Sequence, residues 1–259
     1  MPAPVADTSR TGRPAAISAH RGGGERSPSG SYAAYEDAID AGADYLEFDV
    51  RRTADGELVA FHPARLGRRG PPIRALSYAE LCRQAGYVVP TTNGVLELLA
   101  GRARAHVDLK ETDCLAAIVS QALGLLPPER VLVTTGEQHA IRELRLRYPA
   151  VPAGLTIGGD LPQRMRYLAT RAGLRLTSPV EAVVSAGASH AVMHEGLARA
   201  GALAECRRHG LRTVVWTVNH DGRLARWIGD PDVDVVVTDR PGRAAAIREW
   251  RPQPASSSQ

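Results

Sequence analysis

Short apolar runs with strand character alternate with stretches of helical periodicity about eight times along these 259 residues. The strand-like runs fall at 15–20, 45–50, 105–110, 130–135, 153–157, 181–185, 212–218 and 233–238. Helical patterns lie between them at 32–41, 113–125, 138–148, 163–172, 195–209, 221–228 and 241–250. Gly42, Pro149, Gly173 and Gly210 mark the ends of four of these, and Ser31 stands where the first needs an N-cap. Parallel strands must be joined by a crossover, and a helix is the usual one. Eight such units at this length predict an α/β fold, a closed TIM (β/α)8 barrel rather than an open sheet. An extra strand at 58–62 and an irregular stretch at 63–99, with short helices at 77–85 and 94–99, read as a small insertion in an early βα unit. The barrel domain is expected at 15–251. A flexible polar segment precedes it at 1–14, and a disordered Pro/Ser-rich tail follows at 252–259.

A barrel of this kind carries its chemistry in the loops beyond the carboxyl ends of its strands. Those ends here present His20 and Arg21, Glu47 and Asp49, His62, Asp108 and Lys110, and Trp216 with Asn219. Side chains at i and i+2 on a strand share a face, so Glu47 and Asp49 converge, and Asp108 can add a third carboxylate. An all-carboxylate set without Cys or His ligands describes a hard-cation site, for Mg2+ or Ca2+. On spacing alone, the alternative that Glu47 and Asp49 pair with arginines inside the barrel stays open. Arg21 and Lys110 add positive charge suited to a phosphate, and His20 with His62 suits general acid/base work. Lys110 stands out further. Lysine and arginine together number 32, and Lys110 is the sole lysine. A chain that otherwise uses arginine for every cation keeps one compact ammonium at a strand end.

Composition excludes several classes. The net charge is +4 and the pI about 9.2, but the arginines are scattered and only 5% of residues are aromatic. That is a poor footprint for nucleic acid, and none is expected as a partner. Cys82, Cys114 and Cys206 are far apart, odd in number and outside any C-x-x-C arrangement. Neither a disulfide framework nor a structural zinc site is expected, and a reducing, cytoplasmic location is. No secretory leader and no run of eighteen apolar residues is present, so no stable membrane insertion is expected. The basic loop at 63–74 reads as a solvated charged loop, with contact to an anionic head group as the alternative. His106, His139, His190, His194, His209 and His220 read as surface, packing or helix-end positions; His190 and His194 have the barrel mouth as an alternative. Asp239 reads as a stabiliser of the loop before Pro241.

The motifs together resemble the glycerophosphodiester phosphodiesterase family. The likeness rests on His20-Arg21-Gly22, then Ala38, Gly42, Ala43, Asp44, Glu47 and Asp49, then Val50, Thr53, Asp55 and Gly56. It continues with Val59 and His62, Asp108-x-Lys110, Trp216-Thr217-Val218-Asn219 and Val237-Thr238-Asp239-Arg240-Pro241, in the family's order. The resemblance implies a TIM barrel that hydrolyses glycerophosphodiesters to sn-glycerol 3-phosphate and an alcohol with a divalent cation, Mg2+ or Ca2+. It implies His20 and His62 as the acid/base pair, and Arg21 and Lys110 on the phosphate. It further implies Glu47, Asp49 and Asp108 on the metal, Trp216 lining the substrate pocket, and a cyclic phosphate that water opens. Asn219 reads as a loop-capping residue rather than a catalytic one, and its place at the mouth also makes it a candidate substrate contact.

Three departures from the family pattern matter. Pro28-Ser29-Gly30-Ser31 stands in place of Pro-Glu-Asn-Thr, so any metal-site role of that Glu passes elsewhere, to Glu25 or water. Pro63 follows His62 where the family has Asp. Asp108-x-Lys110 replaces Glu-x-Lys and resembles the Asp-x-Lys of the sphingomyelinase D toxins, which make cyclic phosphates. Two alternatives therefore accompany the hydrolase expectation: a lyase or transferase whose cyclic product is final, and a non-catalytic barrel that binds a phosphate ligand.

Overall fold

The computed structural model describes residues 13–158, Met165, Tyr167, Leu168 and 178–250. Nine strands appear among them: β1 Ala16–His20, β2 Tyr45–Arg52, β3 Leu58–Ala60, β4 Arg104–Leu109, β5 Val131–Thr135, β6 Ala153–Ile157, β7 His190–His194, β8 Arg212–Trp216 and β9 Val235–Thr238. β1 pairs in parallel with both β2 and β9. All strands but β3 therefore form a closed parallel ring of eight, the expected TIM barrel. β3 turns back antiparallel on β2, with Val50 opposite Ala60.

The connections follow their local sequence. Ser31 caps the helix Tyr32–Asp40, its hydroxyl accepting the Ala34 N–H at 3.1 Å, a cap worth about 1 kcal/mol. Between β2 and β4 lies the expected insertion, with the helices Tyr78–Ala85 and Thr92–Leu99. It has a small core of its own in Val59, Ile73, Leu76, Leu81 and Val89. The 63–74 loop leaves that core with Arg65, Arg68, Arg69 and Arg74 exposed.

One expectation is overturned. The run at 181–185, Glu-Ala-Val-Val-Ser, is not a strand but part of the helix Pro179–Ala186. Ser178 and Glu181 form a reciprocal capping box, Pro179 takes the first turn, and Gly187 closes the helix at φ 75°. Those end signals outweigh the β-propensity of two valines. The strand of that unit is β7, nine residues further on. The helix expected at 163–172 lies, but for Met165, Tyr167 and Leu168, outside the described residues, as do 1–12 and 251–259.

The barrel interior is divided. Leu132, Val192, Val214, Val235 and Val237 pack into an apolar cluster that Trp216 joins. Polar side chains line the other side. Strand register sets His20 beside Glu47, Asp49 beside Asp108, and Asp108 beside Thr134.

Candidate active site

The tight turn after β1 carries the first two groups. Arg21, Gly22 and Gly23 have φ of 51°, 76° and 85°. Glycine adopts such angles freely, whereas for Arg21 the left-handed conformation costs about 1–2 kcal/mol. A Cβ at Gly22 would meet the Ala34 carbonyl carbon at 2.8 Å, so this turn presses on the start of the first helix. The geometry aims the Arg21 N–H at Glu47 Oε2, 2.8 Å away. It brings Arg21 Nε to 3.0 Å from Asp49 Oδ2. Neither of those two buried atoms is hydrogen-bonded, so the pairing is electrostatic and off-line.

Glu47, Asp49 and Asp108 bring a carboxylate oxygen each within 4.8 Å of the others. Glu47 and Asp49 are buried. Burial, and then the charge of Asp49, pushes the Glu47 carboxyl up to about 8. Lys110 Nζ lies 3.0 Å from Asp49 Oδ1 and also pairs with Asp108. Burial would lower its pKa, but Asp108 and Asp49 raise it above the ordinary lysine value. Thr134 donates to the second oxygen of Asp108 at 3.0 Å.

Ionised together, the three carboxylates would exceed the charges of Arg21 and Lys110 by one, and without a further cation Glu47 keeps its proton instead. A divalent cation would turn that excess negative charge into one positive charge, which a diester phosphate matches. The donors are all hard oxygens, and the raised Glu47 marks a cluster short of positive charge, so these residues fit a divalent cation.

His20 Nδ1 is held by Asp239 Oδ1 at 2.6 Å. Burial lowers the His20 pKa, but the hydrogen bond to Asp239 and the charge of Glu47 outweigh it, for a net rise. His62 stands exposed at the rim. Partial burial lowers its pKa, aided by Arg21 and Lys110 against the pull of Asp49. His20, Arg21, Glu47, Asp49, His62, Asp108, Lys110 and Trp216 all line one cavity of about 290 Å3. Trp216 forms its apolar wall, and His194 packs edge-on against the indole at 5.5 Å. His194 therefore sits at the mouth end of β7, while His190 begins that strand, buried.

Asn219, read as a loop cap with a substrate contact as its other possibility, lies outside the cavity lining and takes the first role. Its amide is spent on the last loop: Oδ1 accepts the Asp239 N–H at 2.9 Å and Nδ2 donates to Asp239 Oδ2 at 2.5 Å. Glu25, offered as a substitute near the carboxylates, instead accepts the Gly242 and Arg243 N–H groups at 2.7 and 3.2 Å. It caps the helix Pro241–Glu249. Asp239 has a role that sequence reasoning missed. It does stabilise its own loop through Asn219, and its other carboxylate oxygen also reaches across to His20, which the sequence reading did not include.

His106, read as packing, is buried on the cavity floor between Ser18 Oγ at 3.0 Å and Thr134 Oγ1 at 3.2 Å. Burial pushes its pKa down to about 4. A group depressed this way supports the fold above the unfolded value near 6.5 and loses that support as pH falls toward 4. The loss is about 3 kcal/mol. Glu47, held up at about 8, acts in the opposite direction. The comparison must therefore be between the native chain and His106→Gln. Denaturant midpoints at pH 7 and pH 4.5 should fall further in the native chain, and equal falls would refute the assignment.

Comparison with known proteins adds the following. The sequence model of the glycerophosphoryl diester phosphodiesterase family matches residues 20–243. A glycerophosphodiester phosphodiesterase of Caldanaerobacter subterraneus subsp. tengcongensis is 23% identical over 244 residues, 87% of this chain and 94% of the relative. The crystal structure of a glycerophosphodiester phosphodiesterase from Agrobacterium tumefaciens superposes with a TM-score of 0.68 at 27% identity, covering 90% of this chain and 99% of that one. One from Parabacteroides distasonis gives a TM-score of 0.75 at 24% identity over 93% and 100% of the two chains, a likeness of fold.

Proposed function

The chain belongs to the glycerophosphoryl diester phosphodiesterase family, a phosphoric diester hydrolase, and from that premise we propose that it cleaves glycerophosphodiesters to sn-glycerol 3-phosphate and an alcohol. The observation that carries this is the convergence of His20, Arg21, Glu47, Asp49, His62, Asp108 and Lys110 on one cavity.

Glu47, Asp49 and Asp108 would hold a divalent cation, Mg2+ or Ca2+. Bound there, it supplies charge neutralisation for the phosphoryl oxygens. Arg21 and Lys110 each keep N–H donors beyond those facing Asp49 and Asp108, and these hold the phosphate. One imidazole takes the proton of the attacking hydroxyl, the neighbouring hydroxyl of the glycerol arm. The other gives a proton to the departing alkoxide oxygen. One P–O bond forms as another breaks, and water then opens the cyclic phosphate by the same proton traffic in reverse. Trp216 and the valines beside it wall the cavity and keep water from one side of it. Asn219 acts at one remove, by fixing Asp239.

Two pKa directions shape the pH profile. The His62 pKa lies below the ordinary value and that of His20 above it. Because one imidazole must be neutral and the other protonated, whichever of them is the base, kcat/KM rises through the lower pKa, that of His62, and falls through the higher, that of His20, giving a bell. Asp239→Asn removes a charge and weakens the bond that raises His20. The alkaline limb should move to lower pH while the acid limb stays. A shift of the acid limb alone would refute the pairing.

Product identification tests the reaction itself. Phosphorus NMR of a glycerophosphocholine digest should show a cyclic phosphate only in passing and a phosphate monoester at the end. A cyclic phosphate that persists would make the enzyme a lyase. The free thiols of Cys82 and Cys114 support a reducing, cytoplasmic setting, and among the described residues no helix is long and apolar enough to cross a membrane.

A further inference from the structure

Arg21, Asp49 and His62 line two cavities at once. One is the main cavity of about 290 Å3. The other is a side chamber of about 130 Å3, whose remaining walls include Ser29, Tyr35, Phe61, Pro63 and Tyr87. The phosphate-handling groups therefore stand at a junction. A phosphodiester has two arms on one tetrahedral phosphorus, and phosphorus at that junction can send one arm into each space.

The two spaces differ in what they can do. Only the main cavity contains His20, whose imidazole is backed by the Asp239 carboxylate at 2.6 Å. An imidazole held by a carboxylate through one nitrogen is arranged to take a proton on the other. The attacking hydroxyl, and with it the glycerol arm, belongs there. His62 borders both spaces and can meet the oxygen of an arm lodged in the chamber. Beyond the three shared residues the chamber has no ionisable carboxylate or cation, only aromatic faces, an exposed serine and backbone. Ser29 and Gly30, both small, form one side of its wall.

We propose that this side chamber seats the leaving alcohol of the diester and selects compact alcohols. This rests on the phosphodiesterase reading and extends it to the part of the substrate that reading leaves open. The size follows from the volume. A cavity of about 150 Å3 takes up one benzene molecule, so this chamber encloses an arm of about six non-hydrogen atoms. Ethanolamine, choline and glycerol are of that size. Inositol, with a hydroxyl on every ring carbon, is not, and an acylated glycerol would have to carry its chain out past Tyr87.

The test is a series of diesters that differ only in the alcohol, run on the cation-loaded enzyme. Glycerophosphoethanolamine and glycerophosphocholine should exceed glycerophosphoinositol in kcat/KM by about tenfold or more, the range that shape selection in a pocket supplies. Tyr87 is 45% exposed, so Tyr87→Ala can widen the chamber without removing core packing. It should raise the inositol ester about tenfold relative to the choline ester. Ser29→Leu should lower the choline ester more than the ethanolamine ester. The proposal is overturned if the native enzyme hydrolyses the inositol ester as well as the choline ester, or if both variants shift the whole series by one factor. If no diester is hydrolysed at all, it is the activity that fails. The chamber is then judged by calorimetric affinities for the same series, and a flat series overturns it.

Discussion

Replacing His20 by alanine is expected to lower glycerophosphodiester hydrolysis by about 10²–10⁴-fold, the usual worth of a positioned acid or base. His62→Ala should do the same. The two imidazoles act on a single proton circuit, so the double variant should be little slower than the worse single one. Neither side chain is needed for folding. His62 is exposed at the rim. His20 leaves behind an Asp239 that still accepts from Asn219 at 2.5 Å. Denaturant midpoints should therefore stay within about 1 kcal/mol of the native chain. Full activity in either variant would remove that histidine from the reaction. A single variant that lost stability along with activity would instead make the residue structural.

Withdrawal of divalent cations by a chelator should reduce turnover to background, and Mg2+ or Ca2+ should restore it. Charge neutralisation by a cation is worth several kcal/mol, which corresponds to at least about 10³-fold in rate. A readout independent of rate is cation binding by calorimetry. Glu47→Gln is the informative variant, because glutamine keeps an acceptor for the Arg21 N–H that Glu47 Oε2 accepts at 2.8 Å. The turn should hold while the negative charge is lost. Cation affinity should fall at least tenfold with the fold intact. Undiminished activity after exhaustive chelation would return the three carboxylates to a purely structural role, as partners of Arg21 and Lys110.

Much of this was legible in the sequence, for identifiable reasons. Strand periodicity exposed the barrel because its strands are short and mostly buried and helices separate them. Glu47 and Asp49 could be placed on one face because a strand alternates strictly, and Lys110 drew notice as the sole lysine. What sequence reading missed involved either rival local signals or long range. At 178–187 two valines argued for a strand while a capping box, a proline and a left-handed glycine argued for a helix, and the end signals won. Asn219 and Glu25 have side chains that suit a site, but each satisfies backbone N–H groups of a neighbouring loop or helix. Asp239 lies 219 residues from His20. No local pattern links them; only the pairing of the last strand with the first does.

That closure also sets a timetable. A polypeptide leaving the ribosome exposes His20 early, but the carboxylate that holds it emerges about two hundred residues later, with the strand that seals the ring. Until then β1 lacks one of its two neighbours, and the His20 imidazole lacks its support. A nascent or prematurely terminated chain can contain six or seven strands and all of the carboxylate cluster, yet its His20 has no carboxylate to hold it. Closure of the ring and the pairing of His20 with Asp239 thus arrive together, once the last strand has emerged.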